Sequence, residues 1–175
     1  RVIVDSETTV WFCLENVFSA GTLQLTKELA GDAKEDPFVL DREFQVEVTC
    51  ELEKDGVRGV TYSATHWVRA GDKVALKTSA GDDVLLPAGT HCWLEETETQ
   101  GADDVALNHD GYDNAAVVAK LAKDAPLQLL ELSAINRFDQ AELLISKVVD
   151  GPDPGGPYDF EVVCSYPVTT PEGVL

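Results

Sequence analysis

An internal repeat with a period of about 120 residues constrains the fold of this 175-residue chain more than any other feature. Residues 14–31 read LENVFSAGTLQLTKELAG and residues 134–151 read AINRFDQAELLISKVVDG, with the Asn and Lys of each copy equally spaced. The match continues from FQVEVTC at 44–50 to YDFEVVC at 158–164, although the first copy carries an insertion between its Lys and its Cys. A repeat of this length corresponds to one whole domain.

The phase of the repeat predicts the domain organisation. We expect one complete sandwich domain at 19–138, preceded at 1–18 by the last strand of one repeat and followed at 139–175 by the first strands of another. The chain opens on Arg1 and contains no Met, so we expect a processed or excised piece of a longer protein. Strand edges without partners in such flanks would tend to pair with other chains.

Alternation of apolar and polar residues predicts a fold made of strands. Turn residues (Gly, Pro and Asp) separate the alternating runs at the spacing of an antiparallel sandwich. The expected fold class is all-β, an Ig-like antiparallel β-sandwich. The Ala-rich stretch 114–123 is compatible with either a short helix or a poor edge strand. The predicted strands are 10–18, 22–29, 44–52, 59–68, 73–78, 91–97 and 128–138.

The charge of the chain excludes some partners. It has 13 Lys and Arg against 32 Asp and Glu, a formal net charge of −19, while its 44% hydrophobic content suits a globular protein. So negative a chain would be repelled by nucleic acid and by anionic membrane surfaces. No apolar run approaches a membrane-spanning length, and no nucleotide-binding motif occurs. We therefore expect no nucleic-acid partner, no membrane insertion in this fragment and no cofactor.

The cysteines predict a disulfide. Cys13, Cys50, Cys92 and Cys164 include no C-x-x-C pair, so we do not expect a zinc site. Cys50 and Cys92 fall on the apolar side of two predicted strands, which favours a disulfide and an oxidising, extracellular environment. Two buried free thiols are the alternative, and geometry decides between them. Cys13 and Cys164 can form a second disulfide only if the two flanks meet.

Three polar residues fall on the inward faces of predicted strands. Lys27 shares its face with three leucines of the first strand. Glu96 shares its face with Cys92, and Asn136 shares its face with Phe138. Because a buried charge without a partner is very unfavourable, the Lys, Glu and Asn side chains should meet in the core.

The three polar side chains support two interpretations. In the first, burial makes Lys27 a neutral nucleophile, Glu96 shuttles a proton and polarises the Asn136 carbonyl, and a Lys–Asn isopeptide bond forms once with loss of ammonia. In the second, Lys27 and Glu96 form a buried ion pair and Asn136 is a hydrogen-bonding turn residue. Periodicity alone favours the second, because face assignments slip easily by one residue and the neighbouring Glu95 and Glu98 are alternative acids.

The same residues resemble a known family. Lys27 in a first-strand LTK sequence, LEET at 94–97 and Asn136 in the last strand follow the order found in Cna B-type domains of Gram-positive surface proteins and pilins. The pieces at 46–50 and 86–92 resemble the tandem repeats of actinobacterial cell-wall-anchored surface proteins. The resemblance covers essentially the whole chain.

The resemblance implies both residue roles and a function. Lys27 would be the amine, Asn136 the acceptor and Glu96 the catalytic acid, which shifts the balance towards the isopeptide bond. The chain would be a structural stalk repeat of an adhesin or pilin-like protein on the extracellular cell surface, with adjacent repeats as partners. It would not be an enzyme beyond one self-directed reaction. The alternative is a binding module that itself contacts a host matrix protein.

Overall fold

The alternating residues form strands over most of the predicted complete unit. The computed structural model describes residues 19–122, 125–148, 150–152, 155, 159–164, 169–170 and 173–174. Its helix is α1 (Pro37–Leu40). Its strands are β1 (Ala20–Ala30), β2 (Glu43–Lys54), β3 (Val57–Arg69), β4 (Lys73–Ala75), β5 (Leu86–Pro87), β6 (Thr90–Glu98), β7 (Asp104–Leu107), β8 (Ala116–Val117), β9 (Gln128–Arg137), β10 (Thr169–Thr170) and β11 (Gly173–Val174).

Two sheets enclose the core. One has the strand order β4–β1–β9–β7, with β5 also paired to β1, and the other has the order β3–β2–β6–β8. Inward-facing residues of both sheets pack into one apolar cluster, so the prediction of an all-β sandwich is confirmed. The cluster includes Leu23, Leu25, Phe44, Val46, Val48, Leu94, Leu130 and Leu132.

One strand pairing departs from the expected antiparallel order. Strands β1 and β9 run parallel, from Gly21 opposite Gln128 to Ala30 opposite Arg137. The other pairings of the described strands are antiparallel. Parallel neighbours require a long connection, and here almost the whole domain supplies it. As a result, the carboxyl ends of the first and last strands of the sandwich lie side by side.

The insertion in the first repeat copy folds as α1. The Phe38 backbone N–H donates to Asp36 Oδ1 at 2.8 Å, which caps the turn, and Pro37 occupies the first helical position. Val39 is buried in the core, so the insertion adds apolar cover to the sandwich. No helix among the described residues is long and apolar enough to cross a membrane.

The Ala-rich stretch is an edge strand, not a helix. Within its described part, 114–122, Ala116 and Val117 form β8, which pairs with β6. A 3₁₀ turn over Tyr112–Asn114 precedes it. The edge-strand alternative is therefore the correct one.

Gly31 lies at a tight contact just beyond the end of β1. Its φ is +87°, and a Cβ atom there would be 2.2 Å from the carbonyl oxygen of Phe138. We expect Gly31→Ala to lower the free energy of unfolding by about 1–3 kcal/mol, because alanine is strained at this φ and clashes with backbone. Chemical denaturation measures the change. Gly59→Ala is the control, since no atom lies within 4 Å of a Cβ there. Equal losses of unfolding free energy in the two variants would contradict a specific backbone clash at Gly31.

The flanking segments are only partly described. The predicted strand at 10–18 lies outside the described residues, and so do Cys13 and the domain assignment of 1–18. Residues 139–148, which repeat β1 in sequence, lie in no strand. Strand β1 is stabilised by hydrogen bonds to β4, β5 and β9. Residues 139–148 are paired with no strand in the described part of the chain, which is consistent with their lack of strand structure. The assignment of 1–18 and 139–175 to neighbouring repeats therefore stays a prediction.

Candidate functional site

The polar residues predicted on three inward faces meet in the core. Lys27 of β1 and Asn136 of β9 come from neighbouring strands of one sheet, and Glu96 of β6 comes from the facing sheet. Lys27 and Asn136 are 1% and 0% exposed, and the Glu96 side chain is 1% exposed. The structure thus brings together all three residues that the sequence singles out, and they connect the two sheets.

The three side chains form a closed ring of hydrogen bonds. Lys27 Nζ donates to Glu96 Oε2 at 2.9 Å and also to Asn136 Oδ1. Asn136 Nδ2 donates to Glu96 Oε1 at 2.5 Å and to the Thr99 carbonyl oxygen at 3.2 Å. Both carboxylate oxygens therefore have a partner, as a buried charge requires.

The position of Glu96 differs from the sequence-based interpretation in one respect. That interpretation has Glu96 polarising the side-chain carbonyl of Asn136. In the structure the carbonyl oxygen Oδ1 accepts from Lys27, and the carboxylate contacts the amide nitrogen Nδ2 instead. A carboxylate accepts hydrogen bonds and the amide N–H₂ donates them, so this orientation satisfies both groups.

Parallel pairing of β1 and β9 sets the distance between the amine and the amide. Lys27 lies opposite Ala134, and Asn136 lies opposite Leu29. Residues two apart on a strand share a face, so Asn136 is one same-face step beyond the direct partner of Lys27. The long lysine side chain spans that step. If β1 and β9 were antiparallel, the carboxyl end of one strand would lie beside the amino end of the other. Lys27 and Asn136 would then be at opposite ends of the pair.

A β-bulge in β6 ends the inward-facing alternation directly after Glu96. The register between β2 and β6 shifts so that Val46 pairs with Glu96 and Gln45 pairs with Glu98, leaving Thr97 as the extra residue. Thr97 faces outwards and its hydroxyl donates to Gln45 Oε1 at 2.9 Å. Glu95 is exposed. Glu96 shares the inward face with Cys92 and Leu94, and the bulge after it places Glu98 opposite Gln45 on the outer side.

The surroundings of Lys27 favour its neutral form. Nζ lies 4.3 Å from the centroid of the Phe44 ring, which packs in turn against Phe138 at 6.2 Å between centroids. Burial lowers the pKa of Lys27 from 10.5 to about 8, although the Glu96 carboxylate acts in the opposite direction. A fraction of the amine is therefore neutral near physiological pH and available as a nucleophile.

Two contributors to the site were missed by the sequence analysis. Alternation indicates that Phe44 faces inwards but not that its ring lies against Lys27 Nζ. Thr99 contributes only its backbone carbonyl, for which a sequence carries no signal. The nearest hint is the Gln100–Gly101 turn, where both residues have positive φ and the chain reverses after β6.

The structure contains the Cys50–Cys92 disulfide. The two residues lie directly opposite each other on β2 and β6, and both are 0% exposed. The disulfide therefore ties together neighbouring strands of the sheet that carries Glu96. Cys164 has an exposed free thiol. Its predicted partner Cys13 lies outside the described residues, so the second disulfide stays a prediction.

The fold and site define a class of domain, namely an all-β sandwich with a buried Lys–Glu–Asn ring and a core disulfide. Residues 23–139 match the family described as Domain of unknown function (DUF5979), and the chain belongs to that family. This is not the Cna B-type family that the motifs resemble, so membership of the latter stays a prediction.

Solved structures similar to the chain include two of one adhesin. One is a pilus-presented adhesin, Spy0125 (Cpa), with 18% sequence identity and a TM-score of 0.40; it covers 71% of this chain and 28% of that chain. The other is a cysteine-to-alanine variant of the same adhesin, with 18% identity, a TM-score of 0.38 and the same coverage. The chain thus spans less than a third of the adhesin chains it matches. No curated protein matches it.

Proposed function

We propose that this domain is a load-bearing stalk repeat of an extracellular adhesin or pilin-like surface protein, closed by a self-formed isopeptide bond between Lys27 and Asn136. The observation that carries the proposal is the buried ring in which an amine of lowered pKa, a carboxylate and a side-chain amide are hydrogen bonded to one another. A buried amine, acid and amide in contact are the groups that this condensation needs.

The reaction proceeds through Glu96. Its Oε2 accepts a proton from Lys27 Nζ across 2.9 Å, and the neutral amine attacks Cγ of Asn136, whose Oδ1 takes up negative charge. Glu96 Oε1 then delivers a proton to Nδ2 across 2.5 Å. The Cγ–Nδ2 bond breaks and ammonia leaves, while Nζ gives up a second proton to the carboxylate. The products are one secondary amide and one ammonia.

The reaction happens once in each molecule because the acceptor amide is consumed. We therefore infer no enzymatic turnover for this domain. The buried Cys50–Cys92 disulfide supports an oxidising, extracellular location. The order of the Lys, LEET and Asn motifs supports attachment to a Gram-positive cell wall, with adjacent repeats of the same protein as partners. A host matrix protein is a further partner that the same surface location would allow.

The position of the bond suits a mechanical role. Lys27 and Asn136 are 109 positions apart, on the first and last strands of the sandwich. Force applied to the two ends of the sandwich would reach β1 and β9 first. With the bond in place, it would pass through a covalent amide between these strands, and the residues between them would remain folded.

Single-molecule stretching tests the load-bearing role. We expect the wild-type domain, stretched from its ends under reducing conditions, to show no large unfolding step. Lys27→Ala should release the residues between the two bond positions, a gain in contour length of about 370 Å at roughly 3.4 Å per residue. Lys34→Ala, which removes an exposed lysine, is the matched control and should behave as wild type. A wild-type domain that lengthens as far as Lys27→Ala would contradict the proposal.

The lowered pKa of Lys27 predicts a pH dependence of stability in protein without the bond. Between pH 8 and 10.5 the unfolded chain holds a proton that folded Lys27 has released, so the free energy of unfolding rises with pH in that window. Below pH 8 both states hold the proton and no rise is expected. We compare Asn136→Ala with Lys27→Met/Asn136→Ala in denaturant titrations at each pH. The free energy of unfolding of Asn136→Ala, minus that of the double variant, should rise from pH 8 to 10.5. If this difference stayed constant or fell, Lys27 would not lose its proton easily in the fold.

A further inference from the structure

We propose that the outer face of the β3–β2–β6–β8 sheet binds a basic, extended segment of a partner protein. The inference does not depend on the cross-link, which lies on the opposite side of this sheet. We call the surface the acidic–aromatic face. It is formed by Glu47, Glu51, Trp93, Glu95 and Tyr112.

Two carboxylates of this face repel each other. Glu47 of β2 and Glu95 of β6 are direct cross-strand partners. On its other side Glu47 pairs with Thr65 of β3, so no basic residue lies opposite it on that strand. The ion pairs of the described residues include neither glutamate. Like charges opposite each other destabilise a sheet, and a cation placed between them would relieve the repulsion.

An aromatic platform lies beside the two carboxylates. Trp93 is the same-face neighbour of Glu95 on β6, and the Tyr112 ring meets it edge-on at 5.8 Å between centroids. Tyr112 also stacks on His91 at 4.6 Å with an interplanar angle of 9°. An Asn114 amide that donates to Asp110 Oδ1 at 2.8 Å holds the turn that carries Tyr112. Aromatic faces attract guanidinium and ammonium groups.

One end of the face already holds a cation of the chain itself. The guanidinium carbon of Arg58 lies 3.6 Å from the centroid of the Tyr112 ring, and Arg58 Nε lies 3.6 Å from Glu53 Oε2. This contact shows that a guanidinium fits against the aromatic ring beside a carboxylate. At the Glu47–Glu95 end the aromatic neighbour is Trp93, two positions before Glu95 on β6, and none of the ion pairs of the described residues involves either carboxylate. In the proposed complex an arginine or lysine of the partner lies between these two carboxylates and contacts Trp93.

Net charge indicates that a basic partner, and not a second copy of this chain, binds the acidic–aromatic face. A second copy of this chain, with a net charge of −19, would be repelled. The outer face of the opposite sheet has no facing pair of carboxylates between β1 and β9, since Glu131 lies opposite Gln24 and Glu28 lies opposite Ile135. Same-face positions on a strand recur every two residues, about 7 Å apart. Glu47 and Glu51 are two such steps apart on β2, so every second basic side chain of an extended partner with alternating basic residues would lie beside a carboxylate.

Peptide binding tests the proposal. The probe is a fluorescein-labelled octapeptide of alternating arginine and threonine, titrated with the full chain at physiological salt and followed by anisotropy. We expect Glu47→Gln/Glu95→Gln to weaken binding by about tenfold or more. Glu28→Gln/Glu131→Gln removes the same charge from the opposite sheet and should change the affinity by less than about twofold. Trp93→Ala should also weaken binding by about tenfold, since the platform is lost.

Equal weakening by the two double variants would overturn the proposal, because it would show that only net charge matters. So would equally tight binding of an alternating glutamate–threonine peptide, no binding of the arginine peptide, or self-association of the chain through this face. Thermal unfolding provides a second readout. Glu47→Gln/Glu95→Gln should unfold at a higher temperature than wild type, because the repulsion is removed, so weaker binding cannot come from unfolding. A lower unfolding temperature would contradict the repulsion on which the inference depends.

Discussion

Glu96→Ala is expected to prevent the Lys27–Asn136 bond and to lower the free energy of unfolding by about 4 kcal/mol or more. Two effects act in the same direction. Lys27 would be left as a buried amine without its carboxylate partner, and the constraint of a closed loop spanning 109 positions would be lost. Guanidinium denaturation of both proteins under reducing conditions measures the difference.

Two further variants separate the chemistry from packing. Glu96→Gln has nearly the same size but cannot take the proton of Lys27, so we expect it to remain without the bond. Glu95→Ala removes the exposed neighbouring acid and should change stability by no more than about 0.5 kcal/mol. If Glu96→Ala were as stable as Glu95→Ala, the buried ring would have no energetic role.

Loss of the core disulfide is expected to have the second largest effect. Cys50 and Cys92 are separated by 42 positions, and a cross-link closing such a loop stabilises a fold by about 4 kcal/mol in the chain-entropy description. Cys50→Ala/Cys92→Ala should lose about this amount in a denaturant titration. Cys164→Ala, which removes an exposed free thiol, should leave stability unchanged. An equal loss in Cys164→Ala would contradict the assignment of the stabilising disulfide to the core.

The inward faces of the strands could be predicted because a strand has a side-chain period of two. Lys27, Glu96 and Asn136 alternate with apolar residues, so their burial follows from the sequence once the strands are identified. The Cys50–Cys92 disulfide follows from the same reasoning. The identities of the three buried groups then suggested a condensation, and the order of the motifs favoured it over an ion pair through the family resemblance.

Features that depend on contacts between distant segments could not be predicted. Parallel pairing of β1 with β9 is set by the path of the whole domain, and the alternation of either strand is the same in both pairing directions. The bulge at Thr97, which places Glu98 opposite Gln45 and not on the inward face of Glu96, depends on the register against β2. The position of Tyr112 on the outer face depends on a 3₁₀ turn within a polar loop, whose residues resemble those of any solvated acidic segment.

Intact mass of the fully reduced chain distinguishes a covalent Lys27–Asn136 bond from a hydrogen bond between the same side chains. We expect the sequence mass less one ammonia for wild type, and the full mass expected from sequence for Glu96→Ala and Asn136→Ala. Lys27→Ala is the decisive control, because ammonia lost through cyclisation of Asn136 with its own backbone would persist in it, whereas loss through the Lys27–Asn136 bond would not. A wild-type chain with its full sequence mass, or a Lys27→Ala chain that still lacks one ammonia, would contradict the account.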